Sequence, residues 1–453
     1  MAKAKVRYIC RQCGYKSPVS LGRCPNCDTW DSFSEEMAEI VSTHAPGKVL
    51  ALSQVPKGDT QRITTSISEL DRVLGGGLVP GGVTLLSGEP GVGKSTLLLQ
   101  VAAGAAQMGK KLLYITGEES PAQVRMRAER LNLDLSGLFV LAETQVPSIL
   151  EAARGDWDIL VVDSIQTLKI PELGNSLGSP GQLREASALV ANLAKEKGVP
   201  LFLIGHITKE GNIAGPKLLE HLVDTVLYFE GEKDRPIRVL RSFKNRFGPV
   251  NELGVFEMTG AGLGEVKNPS ALFLAERPFG AAGSIVTPVI EGRRPLLIEI
   301  QALVSHSPLA MPRRQTLGAD PSRVSLLAAV LEKKVRLKLF DRDIFVNVTG
   351  GVKISEPSAD LAIVAAIASS WFEIPLPQDL VVLGEVGLAG EIRRVGRIKE
   401  RLREAQRLGF NQVCGPEMEL KEGIEKQKIK ALGIRHVKEI FSPELGLFKL
   451  DKD

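Results

Sequence analysis

A chain of 453 residues exceeds what one ordinary hydrophobic core organises, so two or three domains are expected. Hydrophobic residues at 43% and charged residues at 24% exclude a disordered or fibrous class, and no run approaches the roughly 18 apolar residues of a membrane span. A net charge of +4 and a pI of about 8.7 are compatible with a polyanionic partner, and the opening MAKAKVRYIC lacks the apolar segment of a secretory signal, so a cytoplasmic protein without membrane contact is expected.

Four of the five cysteines lie before residue 28, as Cys10-Arg-Gln-Cys13 and, ten residues later, Cys24-Pro-Asn-Cys27. Each C-x-x-C pair turns two thiolates toward one centre, and two pairs complete the tetrahedral set that Zn²⁺ accepts. All four ligands come from protein, which favours a structural zinc. Gly14 and Gly22 suit the turns behind the thiolates. A module of residues 1–30 has almost no core of its own, so the metal would supply its folding energy. Residues 31–60, with HAPGK and VPKGD, read as a linker. The fifth cysteine, Cys414, reads as a buried small hydrophobe.

From Ile63 apolar runs alternate with helical patterns. Val83–Ser87 is a strand, and Lys94–Met108 a helix closed by Gly109. The strand LLYIT precedes a helix opened by Ser120, Pro121 and Gln123 as a capping box. Asp158–Ser164 is a third strand, and the next helix opens with the same device, Ser179, Pro180 and Gln182. Pro200–His206 is a fourth strand. This alternation means a mostly parallel sheet covered on both faces, an α/β domain over residues 61–267. The strand carrying Val239–Phe243 ends in Lys244, Asn245, Arg246, Phe247 and Gly248, followed by Pro249. Beyond Lys267 the texture becomes α+β over residues 280–453, clearest from 343. It holds a strand at Asp343–Lys353, a small-residue helix in PSADLAIVAAIASSWF, two short strands in LVVLGEVGLAGEIRRV and a basic amphipathic helix in RIKERLREAQRLGF.

The stretch Gly88, Glu89, Pro90, Gly91, Val92, Gly93, Lys94, Ser95, Thr96 follows a strand and opens a helix, as a phosphate loop must. Its glycines let backbone N–H groups face ATP phosphates, Lys94 reaches the β/γ-phosphates, and Ser95 ligands Mg²⁺. Asp163, ending an apolar strand, is the second carboxylate on the Mg²⁺ side. Glu118 and Glu119 stand at another strand end, where a carboxylate orients the attacking water. His206 is placed to sense the γ-phosphate, against the plainer reading of a satisfied strand-end histidine.

In this order, GEPGVGKST, ITGEES, LVVDSIQT and LIGHITKEGNIAGPKLLEH resemble the RecA-like ATPases. With the cysteine quartet and KNRFG, the chain resembles, over nearly its whole length, the bacterial RadA (Sms) family of DNA recombination and repair proteins. That resemblance implies an ATP-driven, DNA-dependent motor with Mg²⁺ and Zn²⁺. Its expected setting is a homo-oligomeric ring, a hexamer, on single-stranded and branched recombination intermediates alongside the RecA recombinase. It makes Glu118 the water-orienting residue and gives Lys169–Arg184 and Thr208–Lys217 the places of two DNA-facing loops.

Residues from about Gly280 resemble the proteolytic domain of Lon, with Ser358 at the nucleophile segment and Lys399 at the base segment. The pattern departs at Ser355-Glu356 and at Asp360, where the loss of a glycine removes freedom an oxyanion site needs. Ser358 also precedes an apolar helix as an N-cap would, and Lys399 shares a helix with Arg397, Arg401 and Arg403, read as a solvated or DNA-facing side. Peptidase activity is therefore not expected. A Lon-like Ser–Lys peptidase coupled to an ATPase, or a regulatory ATPase that never translocates, are the competing readings. Lys244 and Arg246, alternating with Asn245 at the end of a late strand, are expected to share a face and to reach the ATP of a neighbouring subunit as the γ-phosphate leaves; contact with DNA phosphates and a plain solvated strand end are the alternative readings.

Overall fold

The computed structural model describes residues 6–13, 15–17, 22–30, 32–37, 51, 53, 61–174, 176–206, 218–231, 236–250, 252–308, 311–354, 356–423 and 429–448. Thr208–Lys217, Gly14, Ser355 and most of the expected linker lie outside these residues. The chain forms two compact units, Met1–Asp59 and Thr60–Asp453.

In the first unit, β1 (Val6–Cys10), β2 (Lys16–Ser17) and β3 (Phe33–Met37) make an antiparallel sheet in the order β2-β1-β3. So short a sheet has little apolar surface to bury, and its two cysteine pairs do the bracing that a core does elsewhere.

The second unit begins with α1 (Ser68–Leu74), β4 (Val83–Gly88), α2 (Lys94–Gln107), β5 (Leu112–Thr116), α3 (Pro121–Arg130) and β6 (Leu138–Ala142). It continues with α4 (Val146–Ala153), β7 (Ile159–Asp163), α5 (Pro180–Lys197), β8 (Leu201–His206), β9 (Thr225–Glu230), β10 (Ile237–Asn245), β11 (Leu253–Thr259) and β12 (Gly262–Glu265). The nine strands order as β12-β11-β10-β9-β4-β8-β7-β5-β6. Neighbours from β9 to β6 run parallel, and β10 to β12 fold back antiparallel. Alternate residues feed opposite faces: Leu86 and Tyr114 pack in one core, and Leu85 and Ile115 in the other. Strands buried on both faces are mostly apolar, which is why β4 and β8 read as apolar runs broken only by Thr84, Ser87 and the strand-end His206.

The cap at α3 is as expected, with Ser120 and Gln123 each bonding the other's backbone. At α5 the same letters do something else. The Ser179 side chain makes no cap bond, and Gln182 turns inward, accepting from Ile170 N at 2.9 Å and donating to Ile170 O at 3.1 Å. Gln182 thereby anchors the base of the Lys169–Arg184 segment.

A seven-stranded sheet follows, built from β13 (Ser284–Glu291), β14 (Arg294–His306), β15 (Arg314–Leu317), β16 (Arg342–Val348), β17 (Leu380–Val382), β20 (Gln412–Pro416) and β21 (Lys430–Ile434). Its order is β15-β16-β14-β13-β17-β20-β21, and β18 (Glu385–Val386) pairs separately with β19 (Ile392–Arg393). The two short strands expected around residues 380–395 are thus three, because Gly384 ends β17 before the hairpin begins. Helices α6 (Pro269–Leu274), α7 (Pro321–Val330), α8 (Asp360–Phe372), α9 (Ile398–Arg407) and α10 (Glu417–Gly423) accompany the sheet. The first ten residues of α8 are buried, so its apolar surface runs all round.

The two sheets share one core: Val239, Leu253 and Val255 of β10 and β11 pack in the same cluster as Ile285, Ile298 and Ile363. Ion pairs lock the seam, Arg294 to Glu69 at 3.0 Å and Arg241 to Glu291 at 2.5 Å. Among the described residues no helix is long and apolar enough to cross a membrane.

Candidate nucleotide and zinc sites

The phosphate loop begins at the last residue of β4 and ends on the first turn of α2. Gly91 and Gly93 have φ of 81° and 115°, which an L side chain rarely adopts, and a Cβ on Gly93 would lie 2.8 Å from Met258 Cε. Gly93 is the N-cap of α2 and contributes no side-chain cap, so the first N–H groups of the helix point into the loop. Lys94 folds back over the loop, donating to Gly88 O at 2.7 Å and Glu89 O at 2.9 Å. Burial pushes its ammonium down to about 8, against the attraction of Asp163, Glu118 and Glu89.

Those carboxylates stand at the ends of neighbouring strands. Asp163 ends β7, and its Oδ2 accepts the hydroxyl of Tyr114, a β5 residue that is 1% exposed. Burial, then Asp163, holds that hydroxyl well above its usual range, so it stays a donor. Glu118 accepts from Ser164 Oγ at 2.6 Å and lies 3.6 Å from His206 Nε2. A Cβ on Gly117 would meet Thr167 Oγ1 at 2.0 Å, so glycine is what lets the Glu118 loop approach the turn after β7. Glu119 is taken by Arg127, which leaves Glu118 as the carboxylate facing the loop. Burial and Lys94 hold the His206 imidazole below its ordinary range, so it is neutral at pH 7.

Three buried polar atoms at these strand ends have no partner among the described residues: Ser87 Oγ, Gln166 Oε1 and His206 Nδ1. A loop of inward N–H groups, one buried ammonium, two carboxylates and unsatisfied polar atoms fit a triphosphate and its Mg²⁺. Ser95 and Asp163 are the residues that would hold the metal.

KNRFG lies elsewhere. Asn245 pairs with Thr225 and Thr225 with Thr84, whereas Gly88 pairs with Phe229. Arg246 Nη1 bonds Asp224 Oδ1 at 3.1 Å, and Asp224 Oδ2 accepts from Val83 N at 3.1 Å. Arg246 therefore sits beside the first residue of β4, and the phosphate loop follows the last. At ~3.3 Å per residue the length of β4 separates them by about 16 Å. Asn245 faces away from its two cationic neighbours, into the fold, with Nδ2 on Val73 O and Leu74 O. Lys244 and Arg246 take the other face but differ. Lys244 Nζ is held by Glu220 O and Val223 O, whereas the Arg246 side chain is 54% exposed. A register shift between Ser242 and Lys244 turns the strand end.

In the first unit the sulfurs of Cys10, Cys13, Cys24 and Cys27 all lie within 4.8 Å of one another, with Cys10–Cys27 at 3.6 Å and Cys13–Cys24 at 3.5 Å. Four sulfurs ~2.3 Å from one Zn²⁺ stand about 3.8 Å apart, so the quartet fits that ion. Ser32 Oγ lies 3.2 Å from Cys10 Sγ and Thr29 Oγ1 3.4 Å from Cys27 Sγ, the polar second layer that orients thiolates. Cys414 is fully buried, and burial pushes its thiol up to about 12.

The Lon-like residues are arranged differently from a dyad on an open helix. Ser358 lies in a 3₁₀ turn, Pro357–Ala359, and the N-cap of α8 is Ala359. Ser358 is 2% exposed, and its Oγ accepts from Arg401 Nη1 at 3.1 Å. Arg401, expected on a solvated side, is itself 2% exposed and grips Glu356 through both terminal nitrogens at 2.8 Å and 2.6 Å. Asp360 is held by Arg323. Of the positions that depart from the Lon pattern, Glu356 and Asp360 are thus carboxylates, each with its own arginine. Tyr114, Asp224 and Gln166 have no signature in the sequence, because each reads as an ordinary strand or loop residue until its partner is known.

Residues 8–35 match the rubredoxin metal binding domain, residues 51–212 an AAA domain, and residues 323–442 the Lon protease (S16) C-terminal proteolytic domain. The chain is 46% identical over 457 residues to DNA repair protein RadA of Bacillus subtilis (strain 168), covering 98% of this chain and 100% of the relative. It is 47% identical over 451 residues to DNA repair protein RadA of Streptococcus pyogenes serotype M1, covering 98% and 99%. It is 46% identical over 428 residues to that of Listeria monocytogenes serovar 1/2a, covering 92% and 93%. With a phosphate loop, a four-cysteine zinc ribbon and a Lon-like domain in one full-length match, the chain belongs to the RadA family of DNA repair proteins.

Proposed function

We propose that this chain is a DNA-dependent ATPase that works as a cytoplasmic homo-oligomeric ring, a hexamer, moving along single-stranded and branched recombination intermediates beside the RecA recombinase. The observation that carries the reading is the separation of the two halves of the site. Lys94, Ser95, Asp163 and Glu118 gather at one end of the sheet, while exposed Arg246 stands at the other. A cation at that end cannot serve its own loop and is positioned to serve another subunit's.

Within one subunit, the loop N–H groups and Lys94 bind the phosphates, and Glu118 takes a proton from the attacking water, oriented by Ser164 and His206. Ser95 and Asp163 would hold Mg²⁺, which would neutralise phosphate charge. Arg246 of the adjacent subunit, with Lys244 bracing the strand end, offsets charge as the γ-phosphate departs. Residues 1–30 serve as the zinc module, 31–60 as linker, 61–267 as motor and 280–453 as a non-proteolytic ring-building domain. Lys169–Arg184, anchored by Gln182, and Thr208–Lys217 contact DNA phosphates without reading bases.

The test is steady-state ATP hydrolysis with and without single-stranded DNA over a salt series. Stimulation that fades as salt rises is expected. Turnover indifferent to DNA at every salt concentration overturns the motor reading and leaves a regulatory ATPase.

A further inference from the structure

A cavity of about 430 Å³ opens where α1, the segment after KNRFG and the β13–β14 hairpin meet. Three guanidinium groups line it, from Arg72, Arg293 and Arg294, beside one carboxylate, Glu252, and the ring of Pro249. The negative charges lie in its walls. Glu252 is 3% exposed and accepts the Arg293 backbone N–H, and Glu69, 2% exposed, is shared by Arg294 and Arg72. Arg72 and Arg293 are exposed, and the Arg293 guanidinium faces the buried Glu252 carboxylate, whose charge it favours. Arg293 is nevertheless rigidly mounted. It stands at the hairpin tip between paired Glu291 and Arg294, and Arg397 donates to Gly292 O at 3.0 Å and Arg293 O at 3.1 Å, bringing a fourth guanidinium to that tip.

Several fixed guanidinium forks over a wall of glycine and proline suit phosphate oxygens, and nothing in that wall reads a base. The cavity also touches the cationic segment. Pro249 follows Gly248, a Cβ on Gly75 would lie 3.1 Å from Gly248 Cα, and Arg62 ties Phe247 O to Leu74 O. We propose that this cavity is a second DNA-backbone site that takes a phosphodiester of single-stranded DNA, separate from the two loops, and passes its occupancy to KNRFG through Pro249. The proposal rests on the reading that the chain binds DNA.

The experiment compares the full-length chain with Arg293→Ala, Arg293→Lys and the double variant Arg72→Ala/Arg293→Ala, using a labelled single-stranded oligonucleotide from low to high salt. Each lost phosphate contact removes about 0.7 from the slope of log affinity against log salt, so Arg293→Ala is expected to flatten the slope by about that much and weaken binding several-fold near 150 mM salt. Arg293→Lys should keep most of the slope, and ATP turnover without DNA should be unchanged in all three. Unchanged affinity and slope in the double variant overturn the site. So does a change in ring size with DNA affinity intact, which assigns the cavity to carboxylates of a neighbouring copy. So does a calorimetric signal for inorganic phosphate that the variants lose while oligonucleotide binding persists, which assigns it to free phosphate. If the unaltered chain binds no oligonucleotide at all, the motor reading fails with it. Binding in the unaltered chain that the variants match defeats the cavity alone.

Discussion

Arg401 Nη1 lies 3.1 Å from Ser358 Oγ, and the same guanidinium holds both oxygens of Glu356. A nucleophilic serine needs a base that takes its proton; this hydroxyl instead accepts from a group that never deprotonates at physiological pH. The Ser358→Ala variant should therefore match the unaltered chain in ATP turnover, and neither should label with a serine-directed probe or degrade an unfolded substrate. ATP-dependent proteolysis abolished by Ser358→Ala would defeat this. Removing Arg401 leaves the half-buried Glu356 carboxylate without its guanidinium, so Arg401→Ala should cost about 2 kcal/mol in denaturant unfolding, with much of it recovered when Glu356→Gln is added.

Tyr114 donates to the carboxylate expected to hold Mg²⁺, and its ring is packed in the core. Tyr114→Phe keeps the ring and deletes the donor, so Asp163 loses its orientation while the fold stays. The Mg²⁺ concentration for half-maximal ATP turnover should rise about tenfold, with turnover at saturating Mg²⁺ largely restored. A fall in maximal turnover with an unchanged Mg²⁺ requirement would assign Tyr114 to packing instead.

The phosphate loop, the cysteine quartet and the Ser120 box are legible because each is local, with no two members more than 17 residues apart. Ser179-Pro180-Gly181-Gln182 carries the same signature, yet a buried Ile170 backbone offered Gln182 better partners than the cap did. Arg401 lies on the helix stripe that its basic neighbours make look solvated, and only Glu356, 45 residues earlier, reveals that it is interior. The reversal of β10 against β9, which carries KNRFG away from its own loop, is a matter of strand pairing that residue pattern does not encode.

Lys94 titrates in the nucleotide-free site at about 8, because burial disfavours its charge. Phosphates favour the charged form and raise that value in the complex, so binding takes up a proton once pH exceeds 8. The sign follows: ATP affinity should be flat from pH 6 to 7.5 and then fall, by about tenfold at pH 9. Fluorescent-nucleotide titration across this range checks it. In Lys94→Arg, whose guanidinium stays charged, whatever affinity remains should not show that fall.

The zinc quartet lies in a unit separate from the rest of the chain. Metal analysis should give about one Zn²⁺ per chain, lost in Cys10→Ser/Cys13→Ser. Because Lys94, Ser95, Glu118 and Asp163 all belong to the second unit, basal ATP hydrolysis should change less than twofold on metal removal, whereas coupling to DNA should fall further. Collapse of basal hydrolysis in parallel with zinc loss would show that the unit supports ATP hydrolysis directly.

The separation of Arg246 from its own phosphate loop gives the most discriminating test. Lys94→Ala should abolish turnover by removing the main cation on the phosphates, and Arg246→Ala should abolish it by removing the cation supplied across the interface. In a ring with one kind of heterologous contact, each site pairs one subunit's loop with its neighbour's finger. Mixing the two inactive chains in equal amounts then makes about one contact in four that joins an intact loop to an intact Arg246, and hydrolysis should recover to roughly that fraction of the unaltered ring. If Arg246 acted within its own chain, no subunit in the mixture would hold both groups and none would recover. Absence of recovery, with mixed rings verified by differently tagged chains, would return Arg246 to a DNA-phosphate contact. The Arg246→Ala chain alone separates the two roles as well: a trans finger lowers turnover at saturating DNA, while a phosphate contact lowers DNA affinity and leaves saturated turnover intact.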